Sequence, residues 1–161
     1  MVILNPKEHH WMKSSNTERL FKAFPEGTLR FVGGCVRDAL LGSEVSDVDL
    51  ATKLLPEDII NCLIKSNIKF VPTGIKHGTI TAILDADIYQ ITSLRIDTKT
   101  NGRHAEVTFN SSWKTDANRR DFTINSLYAD FTGKVYDPIG QGLDDLKTSK
   151  ICFVGRPMFN T

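Results

Sequence analysis

The stretch "LRFVGGCVRDALLG" (29–42) limits the fold more than any other part of the chain. A short apolar run meets two adjacent glycines, and an amphipathic run closed by Gly42 follows. A short apolar run bounded by turn signals reads as a buried strand. Glycines at such a junction allow a backbone path that other residues resist. The expected unit is therefore a strand over 29–34 that turns through Gly33 and Gly34 directly into a helix over 35–42. Such a strand needs neighbours, and "SDVDLAT" (46–52) supplies the next one, expected over 47–52.

In that second strand, alternate residues share a face, so Asp47 and Asp49 project together with Cα atoms about 6.5–7 Å apart. Val48 and Leu50 point the other way, into a core. Two carboxylates held side by side repel unless a proton or a cation joins them. Magnesium takes oxygen ligands and commonly uses one or two carboxylates plus substrate phosphates. The bland alternative is a solvated strand end with two surface acids. The glycine pair adds to the sharper one: backbone N–H groups at a strand-to-helix turn can approach a phosphate closely. Arg37, one turn into the helix, can reach the same anion, or it can pair with Asp38 or Glu44. Phosphate seat and acid pair together describe a site for a nucleoside triphosphate and its metal ions.

The rest of the chain alternates helical and strand-like periods. "SSNTERLFKAF" (14–24) reads as a helix capped by Ser14 or Ser15 and stopped by Pro25 and Gly27. "PEDIINCLIKSN" (56–67) reads as a helix with Pro56 at its first position. Strands are expected over 68–74, 78–85 and 87–94, the last two forming a hairpin. Segment 95–113 is polar and irregular and reads as a long loop containing Arg95, Arg103 and His104, with Phe109 and Trp113 as anchors. Residues 114–130 pass from helical to strand-like character. Residues 133–155 give a strand, a turn, a short helix and a final strand. This order predicts an α+β fold, a mixed sheet with helices mainly on one side.

Composition excludes several classes. With 161 residues and 40% hydrophobic content, one soluble domain with a real core is expected. A net charge of +1 argues against a strongly basic nucleic-acid binder, so any RNA contact must be local. Cys35, Cys62 and Cys152 form no metal-binding spacing and read as thiols in a reducing compartment. No apolar run approaches the roughly 20 residues that cross a bilayer. A cytoplasmic protein with no membrane partner is expected.

Three motifs in order carry a resemblance. "VGGCVRDALLGSEVSDVDLAT" (32–52), "RRDFTINSLYAD" (119–130) and "VYDPIGQGLDDLK" (135–147) resemble the head domain of the polymerase-β-like nucleotidyltransferases. They are most similar to class II tRNA CCA-adding enzymes and bacterial poly(A) polymerases. The resemblance implies the polymerase-β-like fold, with an N-terminal helical segment over 1–28, a head domain over 29–155 and a tail over 156–161. It implies that Asp47 and Asp49 hold Mg²⁺ and are catalytic. It implies that Gly33, Gly34 and Arg37 contact the triphosphate, and that Arg119, Arg120, Asp121 and Asn125 read the nucleotide. Asp121 would accept a hydrogen bond from a ribose 2′-hydroxyl. Partners would be ATP or CTP and an RNA 3′ end, that of tRNA above all. In the family, the segment matching 95–113 is mobile and helps order the site.

Two departures qualify what is implied. Gln90, in "IYQITS" (88–93), stands where relatives carry an acidic residue. The family also continues past "FVG" into a helical segment that reads the base and into domains that hold tRNA, whereas here "RPMFNT" follows. The chain is thus expected to act as a nucleotidyltransferase head that adds nucleotides to RNA. The alternative is a binding remnant, or the subunit of a split enzyme that works with a separate neck and tail polypeptide.

Overall fold

β1 (Leu29–Val32) is the strand from which the sheet is built outward. β2 (Val48–Thr52) runs antiparallel to it, with Phe31 opposite Leu50 and Leu29 opposite Thr52. On the far side of β2 lies β5 (Asp87–Ser93), the parallel neighbour, with Asp49 opposite Gln90. β4 (Thr79–Leu84) and β3 (Lys69–Gly74) continue antiparallel to the border. On the other side of β1 come β8 (Tyr128–Ala129) and β9 (Val135–Tyr136). The order of the seven-stranded sheet is β3-β4-β5-β2-β1-β8-β9. The computed structural model describes residues 1–100 and 104–155.

Helices cover one face. α2 (Ser15–Lys22), α3 (Gly34–Leu40) and α4 (Pro56–Lys65) bury Leu20, Val36, Ile59 and Leu63 against Phe31, Leu50, Ile80 and Ile91. The local reasons are those of the sequence. Ser14 caps α2, its Oγ accepting from the Thr17 N–H at 3.2 Å. Pro56 opens α4, and Ile59 and Leu63, four residues apart, share its buried stripe. The short helix α1 (His10–Lys13) adds Met12 to the same core, so residues 1–28 pack as part of it. The opposite face carries a smaller cluster of Val32, Ala51, Leu94, Ala117 and Tyr128 under α5 (Trp113–Asn118).

Two expectations are corrected. Segment 95–113 is not a loop: it forms a hairpin, β6 (Arg95–Thr100) and β7 (His104–Phe109), in a separate two-stranded sheet, and α5 follows. The sequence of β6 is mostly polar on both faces, so the alternation of Ala105, Val107 and Phe109 in β7 has no matching apolar stripe in its partner. Arg103 and the side chain of His104 lie outside what is described, as does the tail over 156–161. The expected final strand is reduced to one bridge between Phe122 and Phe153, after α6 (Gly142–Lys147).

Both borders of the sheet are modified. Residues 2–4 lie along β9: the Val135 N–H donates to the Val2 carbonyl at 2.9 Å, and the Leu4 N–H to that of Gly133 at 2.7 Å. At the other border β3 carries Pro72 and a register shift between Val71 and Gly74. Among the described residues no helix is long and apolar enough to cross a membrane.

Candidate active site

The turn from β1 into α3 is made by Gly33, at φ +79° and ψ −131°. That region is open only to glycine. The Gly33 N–H donates to the Leu127 carbonyl at 3.1 Å, tying the turn to the segment before β8. Gly33 therefore shapes the turn, while Gly34 is the first residue of α3, where helical N–H groups have no intrahelical acceptor. One turn on, Arg37 donates through Nε to Asp38 at 3.0 Å and through Nη1 to Asn125 Oδ1 at 2.7 Å. Asn125 Nδ2 in turn donates to Asp121 Oδ1 at 3.3 Å, and the Phe122 N–H to the same oxygen at 2.6 Å. The first wall of the site is this row, Asp38–Arg37–Asn125–Asp121.

The second wall comes from α5 and the residues after it. Arg119 and Arg120 both donate to Asp116, which is 1% exposed. Between the walls is a cleft of about 410 Å³. Its lining contains Val32 and every expected site residue except Asp47: Gly33, Gly34, Arg37, Asp49, Arg119, Arg120, Asp121 and Asn125. Residues from three distant parts of the sequence thus converge on the end of β1 and the start of β2.

Asp49 is exposed at the floor, on the face it shares with Ala51, while Val48 and Leu50 pack towards the helices. Asp47 lies just before β2 and is exposed too, lining a neighbouring cleft of about 550 Å³ with Trp11, Ser14 and Tyr89. The two acids, two residues apart, thus line different clefts. Desolvation by the cleft walls and then the charge of Asp47 push the Asp49 carboxyl above its ordinary pKa, against a smaller pull from Arg120. The carboxylates of Asp47 and Asp49 have no hydrogen-bond or ion-pair partner among the described residues; only the Asp49 backbone carbonyl accepts, from the Cys35 thiol.

This donor set suits a hard divalent cation. Two uncompensated carboxylates, one already perturbed by the other, are relieved by a shared dication. The nearest soft donor is silent: burial pushes the Cys35 thiol up to about 12, so it stays protonated beneath the acid strand. Among the described residues no group of three or more His, Cys, Asp or Glu could hold a metal by itself, so a cation on Asp47 and Asp49 would take its other ligands from substrate phosphates and water. Gln90 accounts for part of this. It is exposed directly across from Asp49 on β5 and offers a neutral amide.

Asp116 and Tyr128 are the residues that sequence reasoning overlooked. Only Asp116 left a signal, as an acid three and four residues before two arginines, the spacing of neighbours on a helix.

The model of the poly A polymerase head domain matches residues 29–152. The mitochondrial CCA tRNA nucleotidyltransferase 1 of Danio rerio is 46% identical over 128 residues, covering 79% of this chain and 30% of that protein. Among solved structures, the CCA-adding enzyme of Bacillus stearothermophilus in complex with CTP superposes with a TM-score of 0.72 at 33% identity, over 93% of this chain and 33% of that one. A tRNA nucleotidyltransferase complexed with a primer tRNA and an incoming ATP analog gives 0.57 at 30% identity, over 74% of this chain and 33% of that one. The chain spans about 30% of the length of the curated relatives it matches.

Proposed function

The chain belongs to the poly A polymerase head-domain family, and from that premise we propose that residues 29–155 form the nucleotide-binding and catalytic head of an RNA nucleotidyltransferase of the CCA-adding type. Its substrates are CTP or ATP and the 3′ end of a tRNA. The observation that supports this is the unpartnered Asp49 carboxylate at the floor of a cleft walled by Gly34, Arg37, Arg119 and Arg120, with Asp47 two residues before it lining the neighbouring cleft. The arginines and N–H groups there would donate to a triphosphate, with the acids beside it.

The acceptor's 3′-oxygen forms a bond to the α-phosphorus, the bond to the bridging oxygen breaks, and pyrophosphate leaves on the opposite side. The hydroxyl proton passes to solvent. Asp47 and Asp49 would hold Mg²⁺, which when bound would activate the attacking oxygen and neutralise the leaving charge. Arg37, Arg119 and Arg120 hold the β- and γ-phosphates, so that the leaving group is fixed in line. Asp121 keeps Oδ2 without a partner among the described residues, available to a ribose 2′-hydroxyl.

Three measurements test the reading. The purified chain is titrated with CTP and with ATP, each with and without Mg²⁺, and assayed for extension of a tRNA lacking its terminal nucleotides. Mg²⁺-dependent binding with extension supports a self-sufficient head. Binding that yields extension only when a second polypeptide is added supports the split-enzyme form. No nucleotide binding in either condition removes the proposal.

A further inference from the structure

Asp116 does not line the cleft, yet both of its oxygens are committed to groups that line or adjoin it. Oδ1 accepts from Arg119 Nε at 3.1 Å and from the Arg95 N–H at 3.2 Å. Oδ2 accepts from the Tyr128 hydroxyl at 2.6 Å and from Arg120 through Nη2 at 3.0 Å and Nε at 3.3 Å. A carboxylate only 1% exposed is tolerated when it is paired and hydrogen-bonded, as this one is by five donor atoms.

The direction of these bonds matters more than their number. Arg119 is held through Nε alone, and Arg120 through Nε and Nη2. That leaves both terminal nitrogens of Arg119, and Nη1 of Arg120, without a partner among the described residues, on side chains that line the cleft. Two guanidinium groups side by side repel, and one buried carboxylate between their stems offsets that repulsion while leaving a net positive face.

Building on the nucleotide reading above, we propose that Asp116 is a positioning residue: it locks Arg119 and Arg120 into one preformed set of donors for the triphosphate, and Tyr128 fixes Asp116 from behind. Preformed donors lose little conformational freedom when the anion arrives, which is where their affinity comes from. Electrostatics agree. Burial would raise the Asp116 carboxyl, but the guanidinium groups of Arg120 and Arg119 and the Tyr128 hydroxyl outweigh it and hold the group ionised below the ordinary range.

The test compares the full chain with Asp116→Asn, Asp116→Glu and Tyr128→Phe. Affinity for magnesium tripolyphosphate is measured by calorimetry, affinity for Mn²⁺ alone by electron paramagnetic resonance, and folding by circular dichroism. Asp116→Asn is expected to weaken tripolyphosphate about tenfold or more, with Asp116→Glu recovering part of the loss. Tyr128→Phe keeps the ring in the core and removes one donor, and a smaller loss is expected. If the Asn variant does not fold, Tyr128→Phe carries the test. Mn²⁺ affinity is expected to stay within about twofold, because Asp47 and Asp49 lie outside the clamp. Folded variants that bind tripolyphosphate as well as the parent overturn the proposal and leave the nucleotide reading intact. Parallel loss of Mn²⁺ and tripolyphosphate overturns it in favour of general damage. A parent chain that binds neither overturns both readings.

Discussion

Arg37 on α3 donates to Asn125 Oδ1 at 2.7 Å, a contact that joins residues 88 apart in sequence across the mouth of the cleft. It fixes the guanidinium against both Asp38 and Asn125, and its remaining terminal nitrogen, Nη2, lies near Gly34. Asn125→Ala is expected to lower stability by about 1 kcal/mol, the usual net worth of such a bond. It should weaken Mg–ATP binding by about fivefold, as Arg37 swings towards Asp38 alone. Thermal unfolding and calorimetry check both numbers, and an unchanged affinity would detach Asn125 from the site.

The two glycines are expected to fail in different ways. Gly33 sits in backbone space that alanine enters only under strain, so Gly33→Ala should cost about 1–3 kcal/mol of stability. Gly34 has ordinary helical geometry, and a Cβ there meets Arg37 Nη2 at 3.4 Å. Gly34→Ala should leave stability equal or up to about 1 kcal/mol higher, while displacing the guanidinium and weakening nucleotide binding. Equal effects of the two substitutions on unfolding would contradict this division of labour.

Acid pH separates metal response from folding. Asp49 has a raised pKa, so its contribution to stability is full below the ordinary carboxylate value and is lost as pH rises through its own. As pH rises it ionises beside Asp47, and the repulsion that Mg²⁺ would offset grows. Asp116 has a lowered pKa, so its contribution is present above the ordinary value, about 3.9, and is lost only as pH falls below it. The rise in Tm produced by Mg²⁺ should therefore vanish on acidification before the fold itself weakens. Simultaneous loss of both in a pH series of melting curves would sink the assignment.

Gln90→Glu places a third carboxylate across from Asp49. The variant should bind Mn²⁺ about tenfold more tightly and, without metal, unfold about 1 kcal/mol more easily through added repulsion. An electron paramagnetic resonance titration gives the first quantity and thermal unfolding the second. No gain in Mn²⁺ affinity would mean that the amide faces away from the ion.

Much of this arrangement was legible before the structure. The strand–glycine–helix unit and the alternation through Val48, Asp49 and Leu50 are local patterns, and local periodicity survives folding. The β6–β7 hairpin was hard to read because β6 has no apolar stripe and the alternation of Ala105, Val107 and Phe109 in β7 stands alone, in a separate two-stranded sheet. The convergence of Arg37 with Asn125 was named only through resemblance, since contact between distant segments leaves no periodic trace. Asp116 was readable as a helical ion pair, but its burial, which turns an ordinary pair into a clamp, depends on Tyr128 arriving from β8.

The borders of the seven-stranded sheet bear on how the protein behaves in a crowded solution. An uncovered strand offers unsatisfied amides and carbonyls to any other molecule with a strand to spare. Here residues 2–4 occupy that place beside β9, and Pro72 with the register shift spoils it along β3. Removing the first few residues would reopen one border, and the expected result is self-association through that strand rather than loss of the cleft at the end of β1 and start of β2.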